Sequence, residues 1–112
     1  MIQIINKPWG YEKILVNNNL YCGKILHIDK DKGFSWQYHK TKDETFYILS
    51  GKCLLFFSNE NNIMHAFTKK LLPEEVFRIF PFTRHKIIAL EDTEIIEIST
   101  QHFNEDTYRL KE

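Results

Sequence analysis

The chain has 112 residues, which is enough for one hydrophobic core and too few for two ordinary domains of about 100 residues each. Its 15 basic and 15 acidic side chains cancel, so the basic surplus that drives binding to nucleic acid or to anionic membranes is missing. Hydrophobic residues make up 43% of the sequence and aromatic residues 14%, which excludes intrinsic disorder. We therefore expect residues 1–112 to fold as one domain, with neither nucleic acid nor a membrane as partner.

The sequence also predicts where the protein resides. It contains no apolar run of about 18 residues or more, and Met1–Gly10 lacks the apolar stretch and the small-residue cleavage site of a secretory signal. These features predict a cytoplasmic protein. In a reducing compartment Cys22 and Cys53, whose spacing is not that of a metal motif, are expected to be free buried thiols.

Short apolar segments rich in Ile, Phe, Val and Tyr recur between Asn, Asp, Gly and Pro, a pattern that favours strands over helices. No segment predicts a convincing helix. Eight or nine short strands about ten residues apart, without alternating helices, predict an antiparallel sandwich or barrel. The predicted strands are 11–16, 21–28, 35–39, 44–49, 53–58, 63–67, 76–80, 84–90 and 94–99.

Four polar side chains near the ends of three predicted strands could converge. Residues two apart in a strand share a face, so Gln37 and His39 project together, and Glu44 follows after a four-residue turn. His85 begins a later strand just after Pro81. Such a mixed set of nitrogen and oxygen donors suits Zn²⁺, Fe²⁺, Mn²⁺ or Ni²⁺ and leaves positions open for water or substrate. Taken singly, these residues favour a surface hairpin and a capped strand start over ligands, and it is their joint spacing that favours a metal site.

That spacing resembles the two sequence motifs of the cupin superfamily. The pattern G-x3-Q-x-H-x4-E-x6-G from Gly33 to Gly51 resembles the first motif, with Gln37 in place of the first histidine of the usual pair. The pattern P-x3-H from Pro81 to His85 resembles the second. The resemblance therefore includes all four of the polar residues that could converge.

The similarity is closer to one branch, the cupin domain of type II mannose-6-phosphate isomerases. Pro8–Glu12 reads PWGYE and is similar to that branch's PWG-x-E signature, and Ser35–His39 reads SWQYH, similar to its SLQYH. Glu105–Arg109 reads EDTYR and resembles its acidic C-terminal segment ending in arginine. The resemblance spans nearly the whole chain.

The resemblance implies a double-stranded β-helix, the cupin or jelly-roll barrel, made of two antiparallel sheets. It also implies a divalent metal ion held by Gln37, His39, Glu44 and His85, with Zn²⁺ expected first and Fe, Mn or Ni as alternatives. The implied function is a metal-dependent sugar or sugar-phosphate isomerase or epimerase. A sugar-binding or regulatory cupin without turnover, and a metal-dependent oxygenase or lyase, are the alternatives, because this fold hosts many reactions.

An isomerase also needs a base beside the metal. Glu44 is a poor base if it is a ligand, which leaves Lys42, Tyr47, Arg84 and Lys86 as the candidates near the ligands in sequence. Lys42 and Arg84 flank the two ligand hairpins and could hold a sugar phosphate. Each of these residues could instead be a solvated turn residue.

Apolar residues on both faces of predicted strands, at Phe56–Phe57 and Ile87–Ile88, predict a second covered face and hence a homodimer. Trp9 and Trp36 lie at predicted edge or outward positions, where a dimer contact is favoured over a sugar-stacking platform. His27, His65 and His102 have no partner at ligand spacing and are expected to be structural or exposed. The side chains predicted to form the core are Phe46, Ile48, Leu55, Ile79, Ile87, Ile96 and Ile98.

Overall fold

The computed structural model describes residues 2–112 as an all-β chain folded into two antiparallel sheets. Two short 3-10 helices, Ile63–His65 and Asn104–Asp106, interrupt the strands. Within the described residues, no helix is long and apolar enough to span a bilayer. The strands are β1 (Gln3–Lys7), β2 (Gly10–Asn17), β3 (Cys22–Ile28), β4 (Gly33–Tyr38), β5 (Glu44–Ser50), β6 (Cys53–Ser58), β7 (Phe67–Leu71), β8 (Val76–Ile79), β9 (Arg84–Ala89), β10 (Thr93–Ser99) and β11 (Tyr108–Arg109).

Each sheet interleaves strands from the two halves of the chain. The first sheet has the order β1-β2-β3-β10-β5-β8, and the second has the order β11-β4-β9-β6-β7. β10 therefore lies between β3 and β5, while β9 lies between β4 and β6, as in a jelly-roll barrel. The predicted all-β fold of two antiparallel sheets is confirmed, and this topology brings the start of β9 beside the end of β4.

Three segments differ from the predicted strands. β1 and β11 are strands that the sequence pattern does not predict, because each is an edge strand paired with one neighbour only. The segment 63–67 is predicted as a strand but forms the 3-10 helix Ile63–His65, and β7 begins after it. The Asn62 side chain accepts a hydrogen bond from the Met64 N–H at 3.0 Å, which caps this helix and ends the extended conformation.

The apolar core fills one end of the space between the sheets and contains five of the seven residues predicted for it. Cys22 and Cys53 are both buried and free, as expected. The buried apolar cluster consists of Leu26, Ile28, Phe46, Ile48, Cys53, Leu55, Leu71, Ile79, Ile87, Ala89 and Ile95.

The prediction of the core was wrong for β10. Ile96 is half-buried and Ile98 is 60% exposed, whereas Ile95 and Glu97 point inward. Glu97 lies directly opposite the buried Lys24 of β3, and opposed residues of an antiparallel pair share a face. Because isoleucine occurs on both faces of β10, the pairing with β3 decides which face is buried.

Trp36 does not form the predicted contact surface, whereas a contact of Trp9 with a second copy stays a prediction. Trp36 is fully buried, its indole N–H donates to the Asn61 carbonyl oxygen at 2.7 Å, and its own carbonyl accepts from the Leu110 N–H at 2.9 Å. Trp9 is half-buried against the core, with its ring edge-to-face on Phe34 at a centroid distance of 5.9 Å. The chain's own segments therefore cover Trp36, which corrects the expectation that it contacts a second copy.

The backbones of the paired strands β4 and β9 approach closely at Gly33, and this contact can be tested. A Cβ atom at Gly33 would lie 1.7 Å from the Ile87 carbonyl oxygen, so Gly33→Ala must move the backbone and is expected to cost about 2 kcal/mol or more. Gly23→Ala is the matched control, because its Cβ would meet only the Val16 side chain at 3.4 Å. Urea unfolding measures both free energies. Equal losses for the two variants would contradict the close approach of β4 and β9.

The outer face of the first sheet supports the expected homodimer, which stays a prediction. Ile25, Ile96, Tyr47 and Val76 are in register across four neighbouring strands, and Ile98 beside them is 60% exposed. Burial of such a stripe against a second copy would remove apolar surface from water.

We expect the wild-type chain to sediment as a dimer at micromolar concentration and Ile96→Glu to sediment as a folded monomer, because Ile96 faces outward. Leu20→Glu, at a 76% exposed loop position away from this stripe, should leave the dimer intact. A wild-type monomer in the same sedimentation experiment would overturn the prediction.

Candidate metal centre

Three buried side chains meet at the polar end of the barrel. His39 directly follows β4, Glu44 begins β5, and His85 is the second residue of β9. The turn between His39 and Glu44 carries the chain from the second sheet to the first, so that both side chains face the interior. The atoms that could bind a metal ion all lie within 4.8 Å of one another. The fold therefore assembles a His–Glu–His cluster from residues far apart in sequence.

Backbone carbonyls orient both imidazole rings. The Nδ1–H of His39 donates to the Asp106 carbonyl oxygen at 3.0 Å, and the Nδ1–H of His85 donates to the Thr83 carbonyl oxygen at 2.9 Å. Since a carbonyl oxygen can only accept, Nδ1 of each ring carries a proton, which leaves Nε2 as the atom that can act as a metal ligand. These Nε2 atoms lie 3.2 Å and 3.5 Å from Oε2 of Glu44.

This cluster has the chemistry of a divalent-metal site. Oε2 of Glu44 is buried and accepts no hydrogen bond, an arrangement that is costly unless a cation satisfies the oxygen. Ligand atoms about 2.1 Å from a tetrahedral ion lie about 3.4 Å from each other, which matches the separations between Oε2 and the two Nε2 atoms. Two imidazoles and one carboxylate suit Zn²⁺, Fe²⁺, Mn²⁺ or Ni²⁺. The residues present therefore fit such an ion.

Gln37 is directly opposite His85 in the pairing of β4 with β9. The register of β4 against β9 shifts between Phe34 and Gln37. Because of this shift, the side chains of Phe34 and Gln37 both line the interior, although the two residues are three positions apart. The bulge thus brings the Gln37 amide to the cavity that holds the His–Glu–His cluster. Its role as a fourth ligand stays a prediction.

Burial and neighbouring charges set the ionisation of the cluster. Burial by itself would raise the pKa of Glu44, but Lys42 and the two histidines outweigh it and hold that pKa below its usual range. Burial lowers the pKa of His85 to about 4, so the ring is neutral near pH 7. Burial would lower the pKa of Lys42, but Glu97 and Glu44 raise it above its usual value. The cluster thus presents a carboxylate and a neutral imidazole beside a fixed ammonium group.

A network of buried charges adjoins the cluster. Nζ of Lys42 lies 3.2 Å from Oε2 of Glu97 and 3.5 Å from Oε1 of Glu44, and the Ser99 hydroxyl donates to the same Glu97 oxygen at 2.9 Å. His102, which was expected to be structural or exposed, has its Nδ1 3.1 Å from Nζ of Lys42. Burial, together with Lys42, lowers the pKa of His102 to about 4, so this ring is neutral.

The cluster and this network share a cavity of about 570 Å³. Its wall combines charged, amide and hydroxyl groups with the aromatic rings of Trp9, Phe34 and Phe46. A cavity of this size accommodates a small molecule, and its polar groups converge on one end of the barrel. Its charged lining residues, apart from the histidines, are Lys7, Glu12, Lys24, Lys42, Glu44, Glu97 and Arg109.

The predicted catalytic residues occupy different places. Lys42 is buried in the cavity wall. Tyr47 alternates with the buried residues of β5 and faces outward, because it is three residues from Glu44. Arg84 precedes His85 and faces the other side of β9, where it donates to the Asn61 side chain at 2.9 Å. Lys86 also faces away and pairs with the C-terminal Glu112. Of these candidates, Lys42 alone lies in the cavity.

Three residues of the site are absent from the candidates that sequence reasoning selected. Glu97 lies among isoleucines in β10, and a carboxylate inside an apolar strand is a signal that could have identified it. Asp106 and Arg109 belong to a polar C-terminal segment with no periodicity, so only the contact of this segment with β4 reveals their positions. Arg109 was noted in the resemblance to the isomerase branch but had no assigned role.

Comparison with known proteins defines the fold. No protein-family profile matches the chain, and no curated relative matches it. The capsular polysaccharide assembling protein CapF of Staphylococcus aureus is similar in structure, with a TM-score of 0.84 and 19% identity over 100% of this chain and 32% of CapF. KdgF of Halomonas sp. has a TM-score of 0.76 and 19% identity over 94% of this chain and 89% of KdgF. Oxalate decarboxylase of Bacillus subtilis has a TM-score of 0.84 and 15% identity over 97% of this chain and 30% of that enzyme.

These similarities identify the cupin fold, a jelly-roll β-barrel, which confirms the predicted fold class. This chain spans about a third of the length of CapF and of oxalate decarboxylase. At these identities the shared property is the fold, and fold does not fix chemistry. The finer resemblance to mannose-6-phosphate isomerases therefore stays a hypothesis.

The cluster generates a prediction about metal affinity. His85→Ala removes one of the two imidazoles and is expected to weaken Zn²⁺ binding by more than about 100-fold while circular dichroism stays that of a β-barrel. His65→Ala is the matched control, because His65 is exposed and pairs only with Glu60. Titration calorimetry of both variants against the wild type measures the effect. Unchanged affinity in His85→Ala would mean that the cluster is not the metal site.

Proposed function

We propose that this chain is a divalent-metal cupin enzyme that isomerises or epimerises a small sugar or sugar phosphate. The observation that carries the proposal is the buried cluster of His39, Glu44 and His85 at the base of a polar cavity. These three residues, with Gln37 beside them, would hold the ion. When bound, a divalent ion supplies Lewis-acid polarisation of carbonyl and hydroxyl oxygens. Zn²⁺ is the ion proposed first, because two imidazoles and a carboxylate are a common zinc donor set.

The charge of the cavity favours an anionic substrate. Its wall contains four basic side chains and three carboxylates, an excess of one positive charge to which a divalent ion would add two. Lys7 and Lys24 both pair with Glu12, and Lys42 pairs with Glu97 and Glu44. Among the cavity's basic residues within 2–112, only Arg109 forms no ion pair. We therefore assign Arg109 as the anchor for a phosphate or carboxylate group.

The register of the second sheet supports this assignment. Arg109 is opposite Gln37 in β4, and Gln37 is opposite His85 in β9. Neighbouring strands are about 4.8 Å apart, so the backbones of Arg109 and His85 are separated by about 10 Å. A small molecule with its anionic group at Arg109 could therefore extend a carbonyl or hydroxyl oxygen toward the cluster.

Proton transfer between adjacent carbons requires a group in the cavity that can accept the proton. Lys42 is the member of the predicted set that lies there, and Glu97 is a second titratable group within the same wall. Lys42 is an ammonium held between two carboxylates, so its role is to fix the positions of Glu44 and Glu97 and to favour negative charge on substrate oxygens.

A sugar-binding cupin without turnover is the second candidate, and one observation favours it. Tyr47 and Arg84 lie outside the cavity, and the charge of Lys42 is already paired, so none of the three predicted catalytic side chains is an unpaired group facing the interior. Such a protein would bind the same ligands without exchanging a carbon-bound proton.

The proposal is tested with the Zn²⁺-loaded protein and mannose 6-phosphate, fructose 6-phosphate and unphosphorylated mannose in D₂O. We expect the phosphates to bind more tightly than mannose, and we expect NMR to detect deuterium at C2 of the aldose phosphate and at C1 of the ketose phosphate. Binding without deuterium incorporation would favour the non-catalytic candidate. Absence of both zinc and sugar-phosphate binding would overturn the proposal.

Arg109→Ala should raise the Kd for the sugar phosphate by about 10- to 100-fold, because a charge-assisted contact contributes about 1.5–3 kcal/mol. Zinc affinity should not change, since Arg109 is not a ligand. Lys111→Ala is the control, because Lys111 is an exposed cation two residues away that does not line the cavity. Equal effects of the two substitutions would show that the chain's general charge, and not Arg109, holds the anion.

A further inference from the structure

Asp106 holds the turn that separates two of the cluster's residues. Its carboxylate accepts hydrogen bonds from the backbone N–H groups of Lys40 at 2.9 Å and Lys42 at 3.0 Å, with a longer one from that of Thr41 at 3.3 Å. The Thr41 hydroxyl donates to the same carboxylate at 2.8 Å. Three consecutive amides and one hydroxyl thus converge on a single side chain that is 8% exposed. Because this turn links His39 to Glu44, the carboxylate sets the distance between them.

The backbone of Asp106 acts on His39 directly. Its carbonyl oxygen accepts the Nδ1–H of His39 at 3.0 Å, and this bond directs Nε2 toward Glu44. The side chain and the carbonyl of one residue therefore fix both the turn and the ring. Groups that orient a metal-binding histidine in this way commonly affect metal affinity by about 10- to 100-fold when they are removed.

Asp106 also belongs to the segment that forms part of the cavity wall. It ends the 3-10 helix Asn104–Asp106 and is followed by β11, which pairs with β4. Asn104, Thr107 and Arg109 of this segment line the cavity. β11 pairs with β4 at only two positions, Tyr108–Tyr38 and Arg109–Gln37, and the bonds that Asp106 makes to the turn hold the part of the segment that precedes them.

We propose that Asp106 is a positioning residue that couples the metal centre to the C-terminal segment carrying Arg109. The inference rests on the proposed metal site and adds a reciprocal linkage. If docking of Asp106 orients His39 for the ion, binding of the ion must stabilise the docked segment by the same factor. A bound metal ion would then make the segment that carries Arg109 more rigidly ordered.

Two variants remove the side-chain contacts and leave the carbonyl in place. Asp106→Ala deletes all of them, and Asp106→Asn keeps one acceptor oxygen but replaces the other with an NH₂ group that cannot accept from Thr41 or Lys42. We expect Zn²⁺ affinity to fall by about 10- to 100-fold in Asp106→Ala and by less in Asp106→Asn. Zn²⁺ should slow hydrogen exchange of residues 104–109 in the wild type and do so less in both variants.

Asp92→Ala is the matched control. The Asp92 carboxylate also accepts from a backbone N–H, that of Lys30 at 2.8 Å, but it lies at the opposite end of the barrel. This variant should lose stability without losing zinc affinity. The visible absorption spectrum of bound Co²⁺ should change in Asp106→Ala and not in Asp92→Ala, because only the former alters the orientation of a ligand. Asp106→Asn replaces Asp106→Ala in every measurement if the alanine variant does not fold.

NMR of the metal-free protein separates failure of this inference from failure of the proposed function. The His39 Nδ1–H should be visible and slow to exchange in the wild type, and it should exchange faster in the Asp106 variants, because the segment that carries the accepting carbonyl is no longer held against the turn. If the His39 Nδ1–H changes as expected but neither the wild type nor any variant binds Zn²⁺, then Asp106 does position His39 and the proposed metal-dependent function is wrong. If zinc binds the wild type and both Asp106 variants equally, with His39 unchanged, the inference is overturned.

Discussion

One buried negative charge organises this end of the barrel. Glu44 is 2% exposed, and a carboxylate removed from water costs several kcal/mol unless other groups compensate it. Its two oxygens have different surroundings, since Lys42 lies 3.5 Å from Oε1, whereas Oε2 faces the Nε2 atoms of His39 and His85. One oxygen is thus neutralised by the protein itself, and the other is directed at the place where a divalent ion fits.

The compensation of that charge also explains why polar and apolar residues occupy opposite ends of the interior. Lys42 neutralises Glu44 but is itself buried, and Glu97 supplies the second negative charge that it requires. Along β9, the polar His85 is followed by the apolar Ile87 and Ala89, and in β5 the buried Glu44 is likewise followed by Phe46 and Ile48. Burial of apolar side chains at one end therefore stabilises the fold, whereas burial of charges at the other end does not. The cavity lies next to the apolar core, at the charged end.

Backbone contacts hold the two imidazoles on a rigid frame. Phe82 has a φ of 71°, a left-handed conformation that is rare for a bulky residue and costs on the order of 1 kcal/mol or more. Its N–H donates to the His39 carbonyl at 2.7 Å, and the carbonyl of the next residue, Thr83, accepts from His85. The strained turn is thus fixed by contacts to both histidines. Such support keeps ligand atoms in place before any ion or substrate binds.

The local sequence was sufficient to predict the features that depend only on residues close together in the chain. Turn residues and the two-residue alternation predicted most strands and the fold class, and the spacing of Gln37, His39, Glu44 and His85 indicated residues that the barrel does bring to one cavity. These features are local, because a strand places alternate residues on one face whatever its partner is. The faces of Tyr47 and Arg84 relative to the ligands follow from the same alternation.

Contacts between distant segments decided the rest. Ile95, Ile96 and Ile98 supply apolar side chains to both faces of β10, and only its pairing with β3 determines that Glu97 turns inward. Trp36 is buried and bonds to Asn61 through its indole and to Leu110 and Glu112 through its backbone, contacts that no pattern around residue 36 reveals. Asp106 reaches the turn after His39 across a separation of more than sixty residues. The sequence by itself thus determined which residues could bind a metal ion, whereas the tertiary structure decided which charges surround them, because strand pairing and chain crossing depend on the whole fold.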